Sequence, residues 1–424
     1  MRPPLPDGPY LVVGLARSGL AAARMLSAHG EVVGADSGRP HTPADLEVHV
    51  ENDGVALLDR AACVVKSPGV PNEAPVILAA RERGTPVLGE LELAWRLLPN
   101  RFVAVTGTNG KTTTTELLGA IYREAGLPVG VAGNVGTPLS SLVGEVAPDA
   151  TIVCEVSSFQ AEDAEAFAPE VALLLNLTED HLDRHGSFDE YRQAKLRVFA
   201  RQRPDQVAVA PLGVDVPGAG RRVDFGDPVD LPLPADEIRL RGAHNLENAM
   251  GASAAALAAG VPADAVCAAL RAFRGVPHRL EELGMVGGVL YVNDSKATNV
   301  SSALRGIEAF DGGVHAILGG SLKGGGFAGL RETVARRCRA CYLIGEAADR
   351  LQEDLEGAAP LLRCAELQAA VRAAAEAAEP GEVVLLSPAC ASYDQYRDYE
   401  ERGDHFRSLV RTTGEPGELA SQQA

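Results

Sequence analysis

An apolar run at residues 102–106 leads into Gly107, Thr108, Asn109, Gly110, Lys111, Thr112 and Thr113, and a helix-forming stretch, 114–125, follows at once. No other segment restricts the fold as much. A strand that ends in a glycine-bearing loop and then opens a helix aims successive backbone N–H groups at one point, where phosphates bind. A lysine in such a loop neutralises the outer phosphates, and a hydroxyl ligates Mg²⁺. The common form of the loop has glycine five residues before Gly110; Val105 stands there instead. The strand–loop–helix order puts the ligand at the C-terminal edge of a parallel sheet, so the chain is read as an α/β protein.

The same alternation recurs on either side. The apolar run 10–14, a glycine turn, a helix from about Ser18 to His29 and a second strand ending at Asp36 make a βαβ nucleotide-binding unit. Its fingerprint is Gly14-x-Ala16-x-x-Gly19, with alanine where a middle glycine would admit a pyrophosphate. A hydride-transferring dinucleotide domain is the weaker reading of that turn, and a Rossmann-like domain holding another diphosphate the stronger. Residues 64–69 form a further strand ending in Ser67-Pro68-Gly69, either an ordinary tight turn or part of the same sheet edge. A polar link at 98–100 and a hinge at 274–279 divide the chain into 1–97, 98–276 and 277–424. The expected domains are a Rossmann-like N-terminal domain, a central P-loop-type ATPase domain with a mostly parallel sheet, and a Rossmann-like C-terminal α/β domain.

Composition narrows the function. The length of 424 residues suits roughly three domains of about 150 residues each. No stretch approaches the ~18 uninterrupted apolar residues of a membrane span, and the first residues run straight into a strand, so no secretory signal is expected. A net charge of −18 argues against a general binder of nucleic acid or anionic membrane. Seven scattered cysteines, an odd number, suit a reduced cytoplasmic protein. Cys338 and Cys341 form a lone CxxC, read as part of a helical run at 336–342; without a second pair, zinc or redox roles are disfavoured. Only five of the 39 basic residues are lysines: Lys66, Lys111, Lys195, Lys296 and Lys323. In so arginine-rich a chain, lysine marks places that need a compact ammonium or an amine able to lose its proton.

Polar residues collect at the strand ends. Asn134 follows one strand; Glu155 closes another, either as a Mg²⁺ ligand or as a solvated acid. His181 and His185 have i, i+4 spacing, yet acidic neighbours and Gly186 favour a loop or short turn, with His181 near a Mg–phosphate centre. Lys195 lies on an amphipathic helix, where a lysine is usually solvated; only its scarcity lifts it above that. Asn245 is placed as the N-cap of an alanine-rich helix that carries Asn248. In the third part, strands ending near 293, 318 and 386 run into loops bearing Asp294, Lys296, Thr298, Lys323 and Ser392. Two lysine loops on one sheet edge favour an anionic substrate over a generic glycine loop. Residues 415–424 read as a frayed tail.

Taken in order, residues 106–112, Glu155, 178–181, 191–195, His244 with Asn245, 277–279 and 293–298 resemble the motifs of the Mur ligases of peptidoglycan synthesis, over nearly the whole chain. The segment 385–392 with its following aromatic residues, the 14–19 turn and 67–69 look like the branch that adds D-glutamate to UDP-N-acetylmuramoyl-L-alanine. The resemblance implies an ADP-forming ligase working through an acyl phosphate, as a cytoplasmic monomer, with no nucleic-acid or membrane partner. It implies ATP on residues 107–113 with Asn248, Arg279 and Asp294; Mg²⁺, two ions, on Thr112, Glu155, His181 and a carbamate of Lys195; and UDP-sugar on Arg17, Ser18 and Asn134. D-Glutamate falls to Thr298, Lys323, Ser392 and Tyr399. Rivals are a sister ligase or a folylpolyglutamate synthase, an NTP-driven switch, and an NAD dehydrogenase.

Overall fold

The computed structural model describes residues 2–40, 43–228, 231–240, 242–322 and 325–413. Lys323 and the 415–424 tail therefore lie outside the described residues. The described strands form three sheets, and the chain divides into two compact units, one of residues 1–239 with 243–273 and one of 240–242 with 274–424.

The first unit holds two all-parallel sheets. In the first, β1 (Tyr10–Val13), β2 (Val32–Asp36), β3 (Glu47–Val50), β4 (Cys63–Lys66) and β5 (Val87–Gly89) lie in the order β3-β2-β1-β4-β5. In the second, β6 (Arg101–Thr106), β7 (Val129–Gly133), β8 (Thr151–Glu155), β9 (Val171–Leu174), β10 (Val207–Pro211) and β11 (Arg221–Phe225) lie in the order β11-β10-β9-β6-β8-β7. Central strands such as β1, β4 and β6 are continuous apolar runs because helices cover both faces of a parallel sheet. One apolar core runs through both sheets, with Leu15, Trp95, Phe102, Phe167 and Phe199 among its large members.

Helix Glu90–Leu97 joins the two sheets and carries two buried acids. The Glu92 carboxylate accepts the backbone N–H groups of Glu165, Ala166 and Phe167 at 3.0–3.2 Å and Arg96 Nε at 2.8 Å. Glu90 accepts Ser140 N at 2.6 Å and Ser140 Oγ at 2.7 Å, and burial pushes its carboxyl above the usual range. A third link is the ion pair of Lys66 Nζ and Asp163 Oδ2 at 2.7 Å, both side chains almost fully buried. Lysine scarcity also points to Lys66, and in the fold this lysine pairs a buried carboxylate.

The second unit has one sheet of β12 (Glu281–Val286), β13 (Val289–Asn293), β14 (Val314–Gly319), β15 (Cys338–Ile344), β16 (Leu361–Ala365) and β17 (Val383–Leu386). The order is β12-β13-β17-β14-β15-β16, parallel except for the antiparallel edge pair β12/β13. The loops after β13, β17 and β14 are thus neighbours at one sheet edge. One sequence expectation fails here. The CxxC run is not helical: the preceding helix stops at Arg337, and Cys338 and Cys341 begin β15, where the apolar run Cys341–Ile344 is buried between β14 and β16. Burial overrides the local helical tendency of the arginines.

Candidate functional site

The loop after β6 is shaped by two glycines and closed by side chains from other elements. Gly110 has φ +83°, and a Cβ there would stand 1.9 Å from Asn248 Oδ1, so only glycine fits beneath that amide. Asn248 is oriented by a 3.0 Å bond from its Nδ2 to Asn245 Oδ1. Asn245 is therefore not the N-cap expected: helix Ala243–Ala258 starts two residues earlier, and the Asn245 side chain serves Asn248. Asn176, just past β9, takes Thr108 N on its carbonyl at 3.0 Å and Asn109 N on its Oδ1 at 2.9 Å. Helix Lys111–Glu124 begins right after, and its first N–H groups have no intrahelical acceptor.

Two lysines converge on this loop. Lys111 Nζ donates to the carbonyls of Gly107 and Thr108, both at 2.9 Å. Lys195 Nζ, from helix Phe188–Ala200, donates to the same Gly107 carbonyl at 2.8 Å. The solvated position usual for a helical lysine is overturned: Lys195 is 2% exposed and its Nζ lies 4.5 Å over the Tyr191 ring. Burial, and then the Lys111 charge, pull its amine down to about 6, against the opposite pull of Asp180 and Glu155. Tyr191 Oη donates to Thr108 Oγ1 at 3.1 Å, which in turn donates to the Thr178 carbonyl at 3.0 Å.

Glu155, at the end of β8, is buried, and its Oε1 accepts Asn134 Nδ2 at 3.1 Å. Gly133 has φ +130°, and a Cβ there would lie 2.2 Å from the Glu155 carbonyl; this close approach sets Asn134 beside the carboxylate. Thr112 is buried on the first helical turn. His181 adopts a left-handed φ of +51° before the single turn Leu182–His185, with its side chain half exposed. His185 turns inward, with Nε2 3.0 Å from Ser158 Oγ and Nδ1 2.9 Å from Glu162 Oε1. The i, i+4 histidines therefore serve different partners. A carboxylate and hydroxyl oxygens beside a phosphate-type loop form a hard-donor set that suits Mg²⁺.

The N-terminal turn reaches the same region. Gly14 has φ +85°, and a Cβ on Gly19 would stand 1.8 Å from the Gly14 carbonyl. Ser67 Oγ donates to that carbonyl at 2.6 Å, and Leu15 N donates to Asp36 Oδ2 at 2.6 Å. Exposed Arg17 reaches the Gly136 carbonyl at 3.2 Å, two residues past Asn134, with half-buried Ser18 next to it in the chain. Arg17 and Asn134, far apart in sequence, thus meet at one loop. The sequence reading has Asp36 as a strand end, Tyr191 within the 191–195 stretch and Asn245 as a cap, and gives Asn176 no role; the hydrogen bonds that set each in place are made only in the folded chain.

In the second unit, Asp294 follows β13 and is buried. It accepts Ser387 Oγ at 2.7 Å and Leu280 N at 3.3 Å, and burial pushes its carboxyl up to about 7. Arg279, half-buried, sits between His278 and Leu280, which have positive φ of 62° and 44°. Half-buried Thr298 precedes Asn299, whose side chain caps helix Val300–Glu308. Ser392 is buried in the loop after β17, and the Tyr399 carbonyl accepts Ser295 Oγ at 2.8 Å.

A family model described as Mur ligase middle domain matches residues 105–217, and one described as Mur ligase, glutamate ligase domain, matches 278–390. The chain is similar to the UDP-N-acetylmuramoylalanine–D-glutamate ligase of Acidobacterium capsulatum, 44% identical over 94% of this chain and 95% of that protein. It is also similar to the ligase of the same name from Solibacter usitatus, 42% identical over 94% and 97%. Among solved structures it resembles UDP-N-acetylmuramate-alanine ligase from Thermotoga maritima, with TM-score 0.58 and 16% identity over 95% and 99% of the two chains. A MurF ligase from the same organism, in complex with ADP, has TM-score 0.57 and 17% identity over 99% and 96%. Those two likenesses concern the fold alone.

Proposed function

This chain belongs to the Mur ligase family, and we propose that it joins D-glutamate to UDP-N-acetylmuramoyl-L-alanine, converting ATP to ADP and phosphate, in peptidoglycan precursor synthesis. The substrate carboxylate attacks the γ-phosphorus, ADP leaves, and an acyl phosphate forms. The D-glutamate amine then attacks the acyl carbon; phosphate leaves and one amine proton is lost. The convergence of Lys111 and Lys195 on the Gly107 carbonyl, next to a loop that only glycine can shape at 110, carries this reading. Phosphoryl transfer asks a protein mainly for positioning and charge neutralisation.

Residues 1–97, 98–276 and 277–424 are read as three domains: Rossmann-like, P-loop-type and Rossmann-like. Arg17, Ser18 and Asn134 are assigned to the UDP-sugar, supported by the Arg17–Gly136 contact. Gly107 to Thr113 cradle the phosphates, Lys111 neutralises them, and Asn248 braces the loop. Arg279 and Asp294 are assigned to the nucleotide, and Thr298, Lys323, Ser392 and Tyr399 to the D-glutamate side. Thr112, Glu155 and His181 would hold Mg²⁺, whose positive charge offsets that of the phosphates. Lys195 is assigned as a carbamate, formed when its neutral amine adds CO₂ and loses a proton; its burial and its depressed basicity support this. Among the described residues no helix is long and apolar enough to cross a membrane; a cytoplasmic monomer is the working picture.

The order of bond formation is tested with UDP-N-acetylmuramoyl-L-alanine labelled with ¹⁸O in its carboxylate. One labelled oxygen should leave in the released phosphate, detected by mass spectrometry. Unlabelled phosphate would rule out the acyl-phosphate route.

A further inference from the structure

One buried cation, which the reaction scheme above leaves without a task, ties together three strand-end loops of the second unit. Arg402, on helix Tyr399–Thr413, is 1% exposed. Its Nε donates to Ser295 Oγ at 3.0 Å, and its Nη2 to the carbonyls of Ser295 at 2.8 Å and Cys390 at 3.1 Å. Its Nη1 donates to the carbonyls of Ala391 at 3.2 Å and Gly319 at 3.5 Å. Ser295 follows β13, Gly319 ends β14, and Cys390 and Ala391 follow β17, the three adjacent strands of the sheet. All of these partners are carbonyl or hydroxyl oxygens, with no carboxylate among them.

A buried charge is unfavourable unless its donors are met, so an apolar side chain would fill this space at less cost if filling were all that the fold required. What a guanidinium adds is a rigid planar fork that holds several acceptors in fixed relative positions; an ammonium is a single point that cannot span them. The loops have little slack. A Cβ on Gly320 would lie 2.1 Å from the Ala391 carbonyl and 3.0 Å from Arg402 Nη1, and Ser321 N donates to that carbonyl at 2.9 Å. Asp394 adds a second tie, accepting Ser321 Oγ at 3.2 Å and Glu346 N at 3.1 Å. Two of the gripped segments carry residues assigned to the amino acid: Thr298 lies three positions after Ser295, and Ser392 directly follows Ala391.

We infer that Arg402 is a positioning residue for the incoming amino acid, fixing the segments that bear Thr298 and Ser392 so that their hydroxyls meet the two carboxylates of D-glutamate at once. This rests on the assignment of those residues to D-glutamate made above. Arg402→Lys and Arg402→Met are compared with wild type in initial-rate assays that vary each substrate in turn. The D-glutamate KM should rise about 10- to 100-fold in both, the size expected when one or two charge-assisted contacts are misplaced. The KM values for ATP and UDP-N-acetylmuramoyl-L-alanine should stay within about twofold, because Asp294, although it precedes Ser295, is held by Ser387 Oγ and Leu280 N and not by Arg402, and the residues assigned to the UDP-sugar belong to the first unit. Ser295→Ala, which deletes one acceptor of the fork, should raise only the D-glutamate KM, by about three- to tenfold. Equal rises for all three substrates, or a loss of kcat with an unchanged D-glutamate KM, would show Arg402 to be a general stabiliser and overturn the inference. Should the Arg402 variants fail to fold, an unchanged D-glutamate KM in Ser295→Ala overturns it. If the wild type uses another amino acid, the acceptor assignment fails by itself, and the same KM split is read on the amino acid that reacts.

Discussion

Lys195 and Lys111 donate to one carbonyl oxygen, so the first is held where a second full positive charge is unwelcome. Arginine would keep its charge in that place and could not add CO₂. Lys195→Arg and Lys195→Ala should both lose turnover by on the order of 10²-fold or more. Formate should partly restore the alanine variant and leave the arginine variant inactive; near wild-type rates in Lys195→Arg would end the carbamate assignment. Asp294 gives a prediction of the opposite kind. Its folded-state value, about 7, stands above that of an unfolded aspartate, so the folded protein holds a proton that the unfolded chain releases between about pH 4 and 7. Over that window stability falls as pH rises, by about 1.4 kcal/mol for each unit of difference, and the loss is complete above it. Asp294→Asn should therefore melt higher than wild type at pH 8 in calorimetry, with the gain vanishing near pH 4, while ligase activity drops. A variant that melts lower at pH 8 would mean that the Asp294 charge helps the fold. At this scale lysine scarcity pointed to Lys111 and Lys195, two residues that the fold brings onto one carbonyl. It could not separate them from Lys66, whose partner Asp163 stands 97 positions away.

Helix Glu90–Leu97 shows what an element can hide. A glutamate is ordinarily a surface residue, and nothing in the sequence marks Glu92; in the fold its carboxylate takes four donors, three of them backbone N–H groups on the far side of the helix junction. Glu92→Gln keeps the volume, and its one carbonyl oxygen can still take the three backbone N–H groups that share Oε2, but its NH₂ then faces Arg96 Nε and leaves that charged donor unmet at about 1–3 kcal/mol. Trp95, the single tryptophan, lies buried on the same helix and reports the change directly. The urea midpoint followed by its fluorescence should fall in the variant; an unchanged midpoint would show that the junction is held by apolar packing alone. The strands β1, β2, β4, β6 and β8 were legible because buried parallel strands are unbroken apolar runs. β3, β12 and β16 were not, since each lies at a sheet edge with a mixed pattern and partial exposure. The CxxC segment misled because β15 acquires its strand character from its neighbours on both sides.

Across the whole molecule, three sheets present loop-bearing strand ends, and each carries a distinct part of the proposed chemistry: a diphosphate turn after β1, a phosphate loop after β6, and a polar cluster after β13, β14 and β17. Parallel α/β sheets bind ligands at that edge, which is why the division of labour could be read from strand-then-glycine patterns. Acceptor choice was not legible in that way and came only from the resemblance carried by segment 385–392; the contacts of Arg402 that hold the neighbouring loops are made across residues far apart in the chain. The proposed acceptor is thus the claim on which the rest of the functional account depends. Phosphate release is to be followed with ATP, Mg²⁺ and UDP-N-acetylmuramoyl-L-alanine while D-glutamate, L-glutamate, L-alanine and diaminopimelate are offered in turn. Release should require the amino acid and be fastest with D-glutamate, whereas equal or faster release with any of the other three would contradict the account.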